Sequence, residues 1–168
     1  MARIKSTLDL VMERTRDISL TEEDKEALQK KEMSDKVRGW VGMLLDRRIT
    51  IHELKQEFTS ESSRHGELKD VMRTELLDHI DPDAENNSIL EAFAEVLGLD
   101  VKPFEDSIKD YHDRYELHRQ EHRERVLSKL KADGISGRAV VPNADKDESW
   151  ITRARGLKDQ FKQKIRAL

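Results

Sequence analysis

The sequence predicts an all-α protein: a compact helical unit followed by a long, coiled-coil-like helical hairpin. Three observations carry that prediction. Three Pro and seven Gly in 168 residues leave the chain little punctuation, which favours long helices. Residues 103–133 contain no Gly and no Pro after Pro103, and Gly134 follows them. Those are the start and stop signals of a single helix, about 46 Å long at a rise of about 1.5 Å per residue. Within it Phe104, Ile108, Tyr111, Tyr115, His118 and His122 are spaced four, three, four, three and four apart, one narrow stripe close to a coiled-coil seam. Such a stripe needs a partner, which the rest of the chain has to supply.

Taken in order, residues 1–20 read as an N-terminal amphipathic helix with Ile4, Leu8, Val11, Thr15 and Ile18 on one face. Residues 21–100 read as the helical unit. Thr21, with Asp24 three positions on, is a weaker form of the capping box and opens a helix running to about Arg47. Its first half is nearly all charged. Its second half places Val37, Trp40, Val41, Leu44 and Leu45 on one face, and Gly39 and Gly42 are expected to admit a closely packed neighbour. Thr50 and Glu53 form a full capping box before a short helix with Ile51, Leu54 and Phe58 inward. Thr59–Ser63 reads as a polar break, and the next helix, from about Ser63 to Ile80, presents Leu68, Val71, Met72, Leu76 and Leu77. Asp81-Pro82-Asp83 ends it. A helix starting near Asn87 or Ser88 then presents Ile89, Leu90, Phe93, Val96 and Leu97, with Gly98 at its end.

Residues 101–168 read as the long helix, an ordered loop and a C-terminal helix that together make the hairpin. On the charged faces of the long helix, Glu105/Lys109, Asp110/Arg114 and Glu121/Arg125 stand four apart with the acid first, the favourable order for local ion pairs. The last helix, Glu148 to Leu168, presents Trp150, Ala154, Leu157, Phe161, Ile165 and Leu168, a stripe that matches the long helix. Between them Gly134–Asp147 is longer than the about two to eight residues a helix–helix connection takes. Ala139-Val140-Val141 favours a strand but has no sheet to join. Ile135, Val140 and Val141 are apolar and Pro142 restricts the chain, a composition wrong for disorder. Two fates fit this segment. Its apolar residues cap the protein's own hairpin, or Ile135, Arg138, Val140, Val141, Pro142 and Asn143 form a docking element in which Arg138 orients a carboxylate of the partner.

Ile4-Lys-Ser-Thr-Leu-Asp-Leu-Val-Met-Glu-Arg-Thr15 and Gly134-Ile-Ser-Gly-Arg-Ala-Val-Val-Pro-Asn143 resemble segments of a family of small uncharacterised bacterial proteins. The resemblance covers those two stretches and implies no activity, cofactor or functional residue.

Composition narrows the function classes. The chain has no Cys, which excludes disulfides, thiol nucleophiles and Cys-zinc sites. A net charge of −4 argues against a molecule that binds nucleic acid over its whole surface. The N-terminus lacks an uncharged apolar run, so neither a signal peptide nor a membrane span is expected, and the protein is read as cytoplasmic without a membrane partner.

Four motifs bear on chemistry. His118-Arg-Gln-Glu-His122 has the H-x-x-E-H spacing of inverted zinc peptidases, so His118 and His122 are the candidate metal ligands, with Asp147 or Glu148 available downstream. The site lacks apolar shelter, and a charged helix generates this pattern by chance. On the seam, neutral imidazole packs beside Tyr115 unless an acid such as Glu121 holds the protonated form. In the EF-hand register from Asp81, Asn86 replaces the required Gly and Ala92 the bidentate Glu. Gly134-Ile-Ser-Gly137 follows a helix rather than a strand and makes no dinucleotide loop. The final helix carries Arg153, Arg155, Lys158, Lys162, Lys164 and Arg166, a basic face that suits phosphates or the chain's own acids. The reading is a non-catalytic scaffold or adaptor with no cofactor. It associates through helices with itself, as a dimer or larger oligomer, and with another protein. Nucleic-acid binding by the last helix and metal-dependent hydrolysis are the alternatives.

Overall fold

The computed structural model describes residues 21–168 except 64, 138, 139, 144 and 145; the stripe from Ile4 to Ile18 lies outside the described residues. The described chain is all-helical, with six helices and no strand. They are α1 (Glu22–Leu45), α2 (Ile51–Ser62), α3 (Leu68–His79), α4 (Asn87–Glu95), α5 (Lys102–Ala132) and α6 (Glu148–Arg166). None is long and apolar enough to cross a membrane.

Local chemistry sets most boundaries. Thr21 Oγ1 accepts the Asp24 N–H at 3.1 Å while the Asp24 carboxylate accepts the Thr21 N–H at 3.1 Å, a complete capping box on α1. Thr50 and Glu53 do the same for α2. Helix α1 ends at Leu45 rather than near Arg47, because Arg47 turns into the left-handed region at φ 58°. The expected break at Thr59–Ser63 is displaced to residues 63–67. Thr59 Oγ1 donates to the Lys55 carbonyl at 2.7 Å and Ser62 Oγ to that of Thr59 at 3.1 Å, so these hydroxyls bond back along α2 instead of capping a new helix. Helix α3 therefore starts at Leu68, not Ser63. After α3 the turn closes on the buried Asn86, whose Nδ2 donates to the carbonyls of Asp81 (2.8 Å) and Ala84 (3.0 Å) and whose Oδ1 accepts the Asp81 N–H (3.1 Å). Gly98, at φ 65°, lets its own N–H reach the Ala94 carbonyl and that of Leu99 the Phe93 carbonyl, finishing the α4 turn.

Helix α1 stays exposed from Glu22 to Glu32 and enters the core at Val37. Its second half packs on α3, and α4 packs on α2 and α3. Gly39 and Gly42 do not mark a close helix approach: a Cβ at either would meet no atom within 4 Å. The core continues without interruption into the hairpin. Phe104 stacks on Phe93 at 4.7 Å, and Tyr111, Leu157, Phe161 and Ile165 belong to the same cluster as Val37, Leu54 and Met72. Leu168 is the exception in the α6 stripe and stays 45% exposed.

Helix α6 folds back on α5, as the matched stripes require. Tyr111 meets Phe161 at 5.5 Å, Tyr115 meets Trp150 at 5.2 Å and His122 meets Trp150 at 5.6 Å. The expected i,i+4 pairs on α5 are replaced by other bonds. Lys109 pairs with Asp113 at 2.7 Å, Asp110 with Lys164 at 2.9 Å and Glu121 with Arg153 at 3.6 Å, while Arg114 donates to Gln160 at 2.7 Å. Asp110, Arg114 and Glu121 thus find partners on the facing helix, whereas Lys109 takes another acid one turn along its own helix.

One ionic junction ties the hairpin to the four-helix unit. Lys158 Nζ lies 2.8 Å from Asp81 and 2.7 Å from Asp83, and the Tyr111 hydroxyl donates to Asp83 at 3.0 Å. Arg166 adds a contact to Asp78 at 2.8 Å. The Lys158 hydrogen bond holds the Asp81 carboxyl below its usual range, and the bonds to Asp81 and then Asp83 raise the Lys158 ammonium. Burial first, and the bond to Asp83 second, push the Tyr111 phenol up to about 12.

Two outcomes follow for stability. Lys158→Met should cost about 1 kcal/mol near neutral pH, because solvent screens carboxylates this exposed. A carboxyl with a lowered folded value contributes above its unfolded range and loses that contribution as pH falls through the folded value. The gap between wild type and variant in urea denaturation should therefore close in acid, and a constant gap would refute the assignment. Gly39→Ala should raise stability by about 0.5–1 kcal/mol, since the helix gains propensity and the methyl meets open space.

Candidate functional site

Helix α5 outruns its partner. Asp147, the N-cap of α6, stands beside His122, yet α5 continues to Ala132, ten residues or about 15 Å further. Half-buried Val126, Leu127 and Leu130 occupy those turns. The chain returns to α6 through residues 133–147, so this end of the hairpin pairs a helix with a loop. Gly134 at φ 80° starts the reversal, and the Ile135 N–H reaches the Leu130 carbonyl at 2.8 Å. The Val140 N–H then bonds to the Gly137 carbonyl at 3.2 Å.

A groove of about 820 Å³ opens between helix and loop. Its floor is Glu116, Arg119, Gln120, Arg123, Glu124 and Leu127 on α5, and its far wall is Val141, Pro142 and Asn143. Val141 is 72% exposed and Ile135 52%, while Val140 and Pro142 are half-buried. Arg138, the expected orienting residue, lies outside the described residues. The loop half of this surface was readable from its apolar composition. The helix half was not singled out, although Glu116, Gln120, Arg123 and Leu127 follow a four-three-four spacing of their own, on a face other than the seam. Their charges made that face look merely solvated.

Within the floor the acids are engaged. Glu116 lies 3.6 Å from Arg119, and Glu124 accepts a hydrogen bond from Gln120 at 3.1 Å. Arg123 has no acid partner among the described residues, nor do Arg125, Lys129 and Lys131 on the same turns. Helix α6 differs. Arg153, Lys158, Lys164 and Arg166 all bridge to acids of other elements, and Lys162 acts on Asp81 through its charge, which leaves Arg155 without an acid partner among the described residues. The chain's own carboxylates thus occupy most of the basic face expected to suit phosphates.

The two histidines fall on the seam in different surroundings. His118 Nδ1 is 3.2 Å from Glu121 Oε2 and 2.8 Å from Arg153 Nη2. One ring nitrogen cannot donate to the acid and accept from the guanidinium at once, so only one of these contacts is a hydrogen bond in a given tautomer. His122 is 4% exposed, under Trp150. Its Nε2 is buried without a hydrogen bond; Asp147 Oδ2 at 3.4 Å is close enough for an ion pair but lacks hydrogen-bond geometry. Asp147 is committed to capping α6: its Oδ1 accepts from the Ser149 hydroxyl and N–H, which hold the carboxyl below its usual range. Glu148 is exposed, and among the described residues no three His, Asp or Glu side chains converge as a metal ion requires.

An uncompensated buried nitrogen costs about 1–3 kcal/mol. His122→Leu keeps the apolar contact with Trp150 and removes that penalty, so its midpoint in thermal or urea unfolding should equal or exceed wild type. A loss of more than about 1 kcal/mol would show that the contact with Asp147 stabilises the fold after all.

Comparison of the chain with protein-family models, with curated proteins and with solved structures found no match.

Proposed function

We propose that this protein is a non-catalytic scaffold or adaptor that works through helix-mediated protein–protein association, with the groove at the distal end of the hairpin as its docking face. One observation carries the reading: Val141 stands 72% exposed on the loop wall opposite Leu127, in a groove open to a partner. An exposed apolar side chain at the edge of a groove offers a partner a contact that water does not reward.

The support for self-association narrows. The stripe from Phe104 to His122 is consumed within the chain by α6, so it is not left over for a second copy. The stripe from Ile4 to Ile18 remains as the sequence feature that favours an oligomer. Nucleic-acid binding by the last helix loses ground, since four of its six cations are paired with the protein's own acids.

Val140→Asp/Val141→Asp tests the docking face. Because Val141 is largely exposed and Val140 only half-buried, the variant should lose no more than a few degrees of melting temperature while losing the proteins recovered with wild type by cross-linking and pull-down. A collapse of the melting temperature would make the loop part of the core instead. Light scattering at micromolar concentration should give a dimer or larger species; a monomeric mass at every concentration would remove self-association from the reading.

A further inference from the structure

The docking groove also has a chemical preference, and this inference rests on the adaptor reading. We infer that it binds an extended peptide segment of a partner protein in which acidic side chains alternate with apolar ones. Charge is the first argument. Residues 119–146 carry seven Lys/Arg against four Asp/Glu, an excess of three positive charges in a chain whose net charge is −4. Inside the groove, Arg119 and Gln120 already hold the two acids, which leaves Arg123 as the floor's cation without an acid partner among the described residues. Charge complementarity calls for a carboxylate there.

Shape is the second argument. The floor runs from Glu116 to Leu127, about 17 Å of helix, which matches about five residues of extended chain at about 3.3 Å each. Leu127, Val141 and Pro142 supply the apolar contacts between which a carboxylate reaches Arg123. Other occupants fit less well. A nucleic acid would find no aromatic ring among the lining residues on which to stack. The distal end of a second copy carries the same positive excess and repels.

The test uses full-length protein and fluorescence anisotropy with three labelled probes of similar length: a peptide alternating Glu and Val, one alternating Lys and Val, and an oligothymidylate. The Glu/Val peptide should saturate, more weakly as salt rises, and the Lys/Val peptide should not. Arg123→Glu should weaken the Glu/Val peptide at least about tenfold without moving the melting temperature. Arg155→Glu, which changes an α6 cation that does not line the groove, should leave it unchanged. Absence of saturation, equal binding of the Lys/Val peptide, or tighter binding of the oligothymidylate would each overturn the inference. If Val140→Asp/Val141→Asp still abolishes partner recovery while the Glu/Val peptide fails to bind, the groove stands as a docking face and the acidic preference alone is lost. If neither effect is found, both readings fall.

Discussion

A length mismatch between two helices governs the distal half of this molecule. The stripe on α5 has to be covered, and α6 covers it by aligning Ile165, Phe161, Leu157 and Trp150 along the seam. Helix α5 has 31 residues and α6 has 19. Because the pairing is locked at Phe93–Phe104 and Tyr111–Phe161, where the hairpin joins the core, the difference emerges at the other end. The ten residues of α5 beyond His122 amount to about 15 Å of unmatched helix. A loop has to return over that distance, and a loop beside a helix leaves a groove where a second helix would have filled it.

The same alignment explains the distribution of charge. Lys158 reaches Asp81 and Asp83 because the register of α6 on α5 carries it to the turn after α3, where Asn86 has already fixed the backbone. Lys164 and Arg166 find acids on α5 and α3 for the same reason. These pairs are individually weak because they are partly exposed. Together they orient α6, and they consume cations that would otherwise face solvent. On the overhanging turns of α5 there is no opposing helix to supply acids, so Arg123, Arg125, Lys129 and Lys131 keep their charge unpaired among the described residues.

Much of this was legible in the sequence where one physical rule acts locally. The two Thr capping boxes, the Pro103 start and the Gly98 and Gly134 stops all depend on a few adjacent backbone groups, and each falls at its expected place. The seam from Phe104 to His122 was legible because burial on one face imposes a period. Other features depend on competition between near and distant partners, which spacing cannot rank. Thr59 and Ser62 are as good at capping a new helix as at bonding back, and α2 keeps them. Asp110 suits Arg114 on its own helix, yet Lys164 on the facing helix takes it. Gly39 reads the same whether a neighbour is near or absent. The groove followed that pattern. Its loop wall was recognisable as an apolar segment without a local use, whereas its floor became a site only once the return path of the loop was known.

His122 shows the cost of ending the seam where it ends. Trp150 covers the ring from the first turn of α6, and the helix can begin there because Asp147 caps it. The capping geometry takes Oδ1 and directs Oδ2 toward His122 without forming a hydrogen bond, so the last covered position of the seam holds a buried nitrogen with no donor or acceptor opposite. A Leu there would pack as well against the indole and remove the polar mismatch. The position thus gives up stability at the boundary between the closed seam and the open groove. Because α6 begins at this point, one turn beyond the imidazole the chain changes from a core that buries its own apolar residues to a surface on which Leu127 is half-buried and Val141 exposed.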